Sequence, residues 1–175
     1  KIARQYGSDA LVITGRNSMK NHGHLERILK DLEEKKVSYF VFDKISPNPK
    51  SDEVDEASNL VRKNRYNLII GLGGGSALDA AKAISVGVNH ESICEFIGGR
   101  TVEKDSSYLP VITIPTTSGS GAEVTKGAII TDAKRNLKSG VRGPALFPRV
   151  AIVDPELTYT MPKKVTTETG FDALT

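Results

Sequence analysis

Two clusters in this chain have the residue types and spacing to do chemistry on a phosphorylated ligand. The first is Gly73-Gly74-Gly75-Ser76-Ala77-Leu78-Asp79, which follows the apolar run Leu68-Ile69-Ile70-Gly71-Leu72 and continues into Ala80-Ala81-Lys82-Ala83. An apolar strand that turns through glycines into a helix presents free backbone N–H groups at the positive helix end, which is a cradle for phosphate. The glycines let the backbone approach a ligand closely and take positive φ. Ser76 either caps the helix or bonds a phosphate oxygen, and Asp79, one turn in, faces the same mouth or satisfies first-turn N–H groups. The spacing is neither the G-x-G-x-x-G of the ordinary dinucleotide fold nor the lysine-terminated P-loop. Taken alone, the segment is also readable as a tight strand-to-helix turn without a ligand.

The second cluster begins where the apolar run Pro110-Val111-Ile112-Thr113-Ile114-Pro115 meets Thr116-Thr117-Ser118-Gly119-Ser120-Gly121-Ala122-Glu123-Val124-Thr125, a loop of hydroxyls and glycines. Together, GGGSALDAAKA and PTTSGSGAEVT closely resemble the iron-containing (group III) alcohol dehydrogenase family. Asp154-Pro155-Glu156-Leu157 and the closing Thr169-Gly170-Phe171-Asp172-Ala173-Leu174-Thr175 match its pattern in order and spacing. Dehydroquinate synthase and glycerol dehydrogenase share the fold but resemble these motifs less well, particularly at PTTSGSGAEVT.

The resemblance implies an oxidoreductase that moves hydride between NAD(P)(H) and the carbinol carbon of a small-molecule alcohol or aldehyde. A divalent metal, Fe2+ or Zn2+, polarises the oxygen. By motif match, Gly74, Gly75 and Ser76 hold the pyrophosphate and Asp79 reaches the nicotinamide side. Thr116, Thr117 and Ser120 line the adenine and phosphate side, Lys138 bonds the nicotinamide ribose, and Leu157 packs on the adenine. Lys138 is alternatively a solvated hairpin lysine, and Asn48, between two prolines, either faces the adenine or stabilises its turn.

Asp172 is the expected metal ligand, because the family's helix carries an aspartate followed four residues later by a histidine on the same face. That histidine would fall one position past Thr175. The resemblance assigns residues 1–161 to a dinucleotide-binding domain lacking its first strand, and residues 162–175 to the beginning of an all-helical metal-binding domain. On this reading the chain is a truncated piece, inactive by itself, of an enzyme for which a homodimer is one expected assembly; the alternative is a stand-alone, non-catalytic dinucleotide-binding module.

Cofactor choice rests on Gly15. NAD-preferring relatives commonly place aspartate at the matching position, where its carboxylate bonds the ribose hydroxyls and repels a 2′-phosphate. Gly15 leaves room for that phosphate, and Arg16, Ser18 and Lys20 supply donors and positive charge, so NADP(H) is expected over NAD(H). The alternative is that Gly15 merely ends a strand and the basic residues are solvated.

The positioning elements follow from hydrophobic pattern. Residues 10–14 read as a strand, residues 21–36 as a helix with Leu25, Ile28, Leu29 and Leu32 on one face, and residues 38–43 as a second strand. A helix from Ser51 or Asp52 carries Val54, Ala57, Leu60 and Val61. Residues 128–132 and 137–141 read as a β-hairpin, and residues 150–154 return to the sheet. Strands apolar on both faces, alternating with helices, indicate an α/β fold, a Rossmann-like doubly wound, mainly parallel sheet with an added hairpin.

The 175 residues, 38% of them apolar, suffice for the core of one domain, or of one domain with a fragment of another. The net charge of +3 comes from scattered Lys and Arg, which argues against a nucleic-acid partner, and no apolar run is long enough for a membrane span. A cytoplasmic protein is the simplest expectation. The single cysteine, Cys94, is expected to be a buried structural thiol. His22, His24 and His90 match no ligand position and are expected at the surface or in caps.

Overall fold

Strands with leucine and β-branched residues on both faces must be covered on both sides, and the chain alternates direction to do so. The computed structural model describes residues 1–174. Helix α1 (Ile2–Tyr6) leads into β1 (Asp9–Gly15), then α2 (Ser18–Asn21), α3 (His24–Glu34), β2 (Ser38–Ile45), α4 (Ser51–Asn64), β3 (Leu68–Gly73) and α5 (Gly75–Gly87). After β4 (Val111–Pro115) come the hairpin strands β5 (Gly127–Asp132) and β6 (Leu137–Arg142), then β7 (Val150–Ala151) and α6 (Lys163–Asp172). No helix among the described residues is long and apolar enough to cross a membrane.

The five-stranded sheet has the order β2-β1-β3-β4-β7 and is parallel throughout, while β5 and β6 pair antiparallel as a separate hairpin. The doubly wound fold is as expected from the alternation of elements. Leu11, Ile13 and Ile69 point to the face covered by α4, α5 and the hairpin. Ala10, Val12, Leu68, Ile70 and Leu72 point to the opposite face, under Met19, Leu25, Leu32 and Leu157.

Three local expectations change. The helix expected over residues 21–36 is two pieces, because Gly23 takes φ 72° and restarts the chain as the N-cap of α3. The last sheet strand spans only Val150–Ala151, at the sheet edge, with Ile152 N still donating to Thr113 O at 2.8 Å. Cys94 is half-buried in a short 3-10 turn, Ile93–Glu95, where it was expected to be a buried thiol at helical spacing.

Helix α5 is buried on nearly every side because it lies between the sheet and the hairpin, which explains a helix rich in alanine with no polar face. Its approach to β3 requires Gly71, since a Cβ there would sit 2.9 Å from the Cβ of Ala81. The one cation on this helix, Lys82, is fully buried. Its ammonium donates to Ala122 O at 2.8 Å, to Thr125 Oγ1 at 3.3 Å and to Gly127 O, and it pairs with Asp79 Oδ1 at 3.0 Å. Burial lowers the Lys82 pKa from the ordinary lysine value, and the Asp79 carboxylate opposes that shift.

Lys82 thus clips α5 to the hydroxyl-rich loop and to the hairpin. Lys82→Met should destabilise the fold by about 3 kcal/mol or more, because it strands the Asp79 carboxylate and two buried carbonyls. Urea unfolding of the variant checks this; a midpoint equal to wild type would show that the clip carries no net stability.

Candidate functional site

The sheet order makes the site. From β1 the chain runs outward to β2, then crosses back to β3, so the connections leaving β1 and β3 go to opposite faces. Parallel sheets bind ligands in the crevice that such a reversal opens outside the carboxyl ends of the strands. Gly15 ends β1 and Gly73 ends β3, so the two glycine positions singled out from the sequence flank this crevice.

The two motifs abut. In the β3–β4 register Gly73 lies opposite Pro115, and Thr116 N donates to Gly73 O at 3.0 Å. Gly73 takes φ 142°, which turns the chain into α5, whose N-cap Gly74 supplies no side-chain cap. The first N–H groups of α5 therefore lack intrahelical acceptors and stay available to an anion. A Cβ on Gly74 would lie 3.3 Å from Thr117 Oγ1, and one on Gly75 would lie 2.9 Å from Ser120 Oγ. The glycines of one motif thus face the hydroxyls of the other across the width of a missing side chain.

Ser76 does not cap α5. Its Oγ accepts from Asn48 N at 3.3 Å, and Asn48 Oδ1 in turn accepts from Lys138 Nζ at 2.7 Å. Asn48 adopts φ 59° between its two prolines, a conformation asparagine tolerates better than most residues. The β2–α4 loop, the cradle and the hairpin are thereby tied together at Asn48. The sequence left its role open between facing the adenine and stabilising its turn; its place between two prolines was the only signal.

Asp79 is engaged on both oxygens, with Ile129 N donating to Oδ2 at 2.9 Å and Lys82 on Oδ1. It lines a cavity of about 360 Å³ together with Ser120, Thr125, Lys126, Ile129 and Arg142. Asp132 holds the hairpin turn by accepting from the backbone N–H groups of Lys134 and Arg135 and from Arg135 Nε, contacts that lower its pKa well below the usual carboxylate range. That turn sets β6 and so aims Lys138 at Asn48.

The remaining candidates are spread more widely. Thr116 is buried, Thr117 half-buried and Ser120 exposed. Leu157, 3% exposed, belongs to the core cluster with Val12, Met19, Leu25 and Ile114. Gly15 is half-buried, and a Cβ built on it meets nothing closer than Ile45 O at 3.7 Å. Asp172 lies at the exposed end of α6, and this helix packs on the hydroxyl-rich loop at Gly119, where any Cβ would overlap the Thr169 carbonyl. Among the described residues, no three His, Cys, Asp or Glu side chains converge on a point suited to a metal ion.

Two residues that sequence reasoning passed over matter here. Lys82 was visible as a lone cation on a helix otherwise apolar all round. Asp43, ion-paired with Lys20, carried no signal, because nothing in the spacing relates residues 20 and 43. His24 is buried and not at the surface; its Nε2 lies 2.9 Å from Thr160 Oγ1, and burial lowers its pKa. His90 packs edge-on to Phe96 and lies 3.2 Å from the Tyr108 hydroxyl.

Comparison with known proteins identifies the family and supports the fold. Residues 1–155 match the family described as iron-containing alcohol dehydrogenase. The chain is 39% identical over 171 residues to a choline dehydrogenase of Bacillus subtilis, covering 95% of this chain and 42% of that one. It is 35% identical over 171 residues to an NADPH-dependent butanol dehydrogenase of Clostridium saccharobutylicum, covering 97% of this chain and 44% of the relative. Among solved structures it superposes on the NADH-dependent butanol dehydrogenase A of Thermotoga maritima with a TM-score of 0.91 and 32% identity, covering 99% of this chain and 43% of the other. The chain thus spans less than half the length of the relatives it matches. A family match over most of the chain, carried by two abutting motifs at a strand reversal, establishes that it belongs to the iron-containing alcohol dehydrogenase family.

Proposed function

We propose that this chain is the dinucleotide-binding part of a metal-dependent alcohol dehydrogenase that transfers hydride between NAD(P)(H) and an alcohol or aldehyde. The observation that carries the reading is the cradle itself. Gly74 and Gly75 leave a gap bounded by Thr117 and Ser120 at the uncapped start of α5, directly after the carboxyl end of β3.

The residues fit a dinucleotide. The N–H groups at the start of α5 bind a pyrophosphate, with Thr117 and Ser120 as hydroxyl donors from the facing loop. Asn48 and Lys138, already bonded to each other, present an amide and an ammonium to ribose hydroxyls. Asp79, fixed by Ile129 N and Lys82, holds the wall of the adjoining cavity in which a nicotinamide would be oriented. Bound there, the nicotinamide supplies the hydride chemistry. The protein's part is orientation and exclusion of water, which α5 and the hairpin provide as rigid walls.

The described residues do not by themselves make a metal site, so no step is derived through one. Asp172, on the helix that packs on Gly119 through Thr169, is proposed as this chain's share of the ligand set. Fe2+ and Zn2+ both suit a carboxylate combined with imidazoles.

NADP(H) is proposed as the preferred cofactor, because Gly15 puts no carboxylate at the end of β1, and a Cβ there would meet only Ile45 O, at 3.7 Å. The related dehydrogenases named above include both NADPH- and NADH-dependent enzymes, so the preference belongs to this chain's own residues.

Three outcomes test this reading. Gly75→Val should weaken dinucleotide binding at least about tenfold, or about 1.4 kcal/mol, by filling the approach to the pyrophosphate. Some loss of stability accompanies it, since Ser120 must also shift; calorimetry showing wild-type affinity in a folded variant would refute the cradle. The purified 175-residue chain, supplied with Fe2+ or Zn2+, should bind cofactor without oxidising any of a panel of alcohols. Metal-dependent turnover by this polypeptide would overturn the proposed division of labour. Gly15→Asp should shift the ratio of NADP+ to NAD+ affinity toward NAD+ by at least about tenfold, through phosphate repulsion and new ribose bonds acting together. An unchanged ratio would remove Gly15 from the specificity site.

A further inference from the structure

The carboxyl end of β1 holds an unexpected acid. The parallel register of β1 with β2 runs from Asp9↔Ser38 to Ile13↔Phe42 and resumes at Gly15↔Ile45, so Thr14 is opposed by two residues, Asp43 and Lys44. An extra residue of this kind bends a strand and re-aims its side chains. Asp43 turns to Lys20 on α2, and Lys44 turns to Glu56 on α4 at 2.6 Å. Among the described residues, Arg16 makes no ion pair. Lys20, one of the cations expected to receive a 2′-phosphate, is therefore already held by a carboxylate, and Lys20 keeps the Asp43 carboxyl below its usual pKa, hence ionised at neutral pH.

The same strand ends contain two buried hydroxyl oxygens with no hydrogen-bond partner, Thr14 Oγ1 and Ser46 Oγ. Thr14, fully buried, precedes Gly15, and Ser46 follows Ile45, the residue paired with Gly15. A buried hydroxyl is costly in a folded protein unless it finds a hydrogen-bond partner. Both hydroxyls and Asp43 thus belong to the carboxyl ends of β1 and β2.

We propose that Asp43 is a cofactor-selectivity residue: its carboxylate competes with a ribose 2′-phosphate for Lys20, so the choice between NADP(H) and NAD(H) is set by the Lys20–Asp43 pair together with Gly15. This inference rests on the dinucleotide-binding reading above. The pair is half-exposed and therefore weak, and a 2′-phosphate, with nearly twice the charge of a carboxylate, can take Lys20 from Asp43. Asp43 remains beside the phosphate as an uncompensated like charge, which limits the preference. NAD(H), having no phosphate there, leaves the pair intact and is indifferent to it.

The test is a calorimetric double-mutant cycle with NADP+ and NAD+ as the probes. Asp43→Asn keeps the shape of the side chain and should raise NADP+ affinity about threefold to tenfold while changing NAD+ affinity less than about twofold. Lys20→Met should lower NADP+ affinity alone, and adding Asp43→Asn to it should recover little, because the two act through one contact. Equal changes for both cofactors, no change for either, or full additivity of the two substitutions would each overturn the proposal. Gly15→Asp measured in parallel separates the two readings. If it leaves the ratio unchanged while Asp43→Asn still raises it, the Gly15 assignment fails and this one stands. If neither cofactor binds the wild-type protein, both fall.

Discussion

The site depends on α5 lying flush against β3. Gly71 gives the helix its approach, and the small residues of α5 let the sheet close on one side and the hairpin on the other. A helix so enclosed has no polar face, and the one ammonium placed on it must find its partners inside the protein. Lys82 finds them in the loop that carries Ser120 and in the first residue of the hairpin. The packing that buries α5 is therefore also what holds the hydroxyl-rich loop opposite the glycine cradle.

Polar contacts around the crevice are arranged in chains, each joining two elements that the sheet alone leaves independent. Asn48 bridges Ser76 and Lys138, and Asp79 joins α5 to the hairpin backbone. Rigid placement of this kind suits a protein whose chemistry resides in its cofactor, because orientation is the protein's main contribution. The end of β1 differs: there the Lys20–Asp43 pair is half-exposed and is not locked into such a bridge.

Much of this was legible in the chain itself. Alternating apolar runs and amphipathic segments required a covered parallel sheet, the two motifs identified the family, and the hairpin strands lie within a residue of their expected bounds. The break at Gly23 was missed because Leu25, Leu29 and Leu32 keep one helical phase on its C-terminal side, so periodicity gave no sign that a left-handed residue restarts the helix.

The sequence by itself determined local structure, the kinds of group available and the family, since these depend on residue type and near spacing. Only the tertiary structure decided which groups meet. The reversal that sets Gly15 beside Gly73, the pairing of Lys20 with Asp43, the bridge at Asn48 and the burial of Lys82 all join residues far apart in the chain. Such contacts follow from strand order and from the direction in which each connection leaves the sheet, and those are fixed by packing across the whole domain and not by any local run of residues.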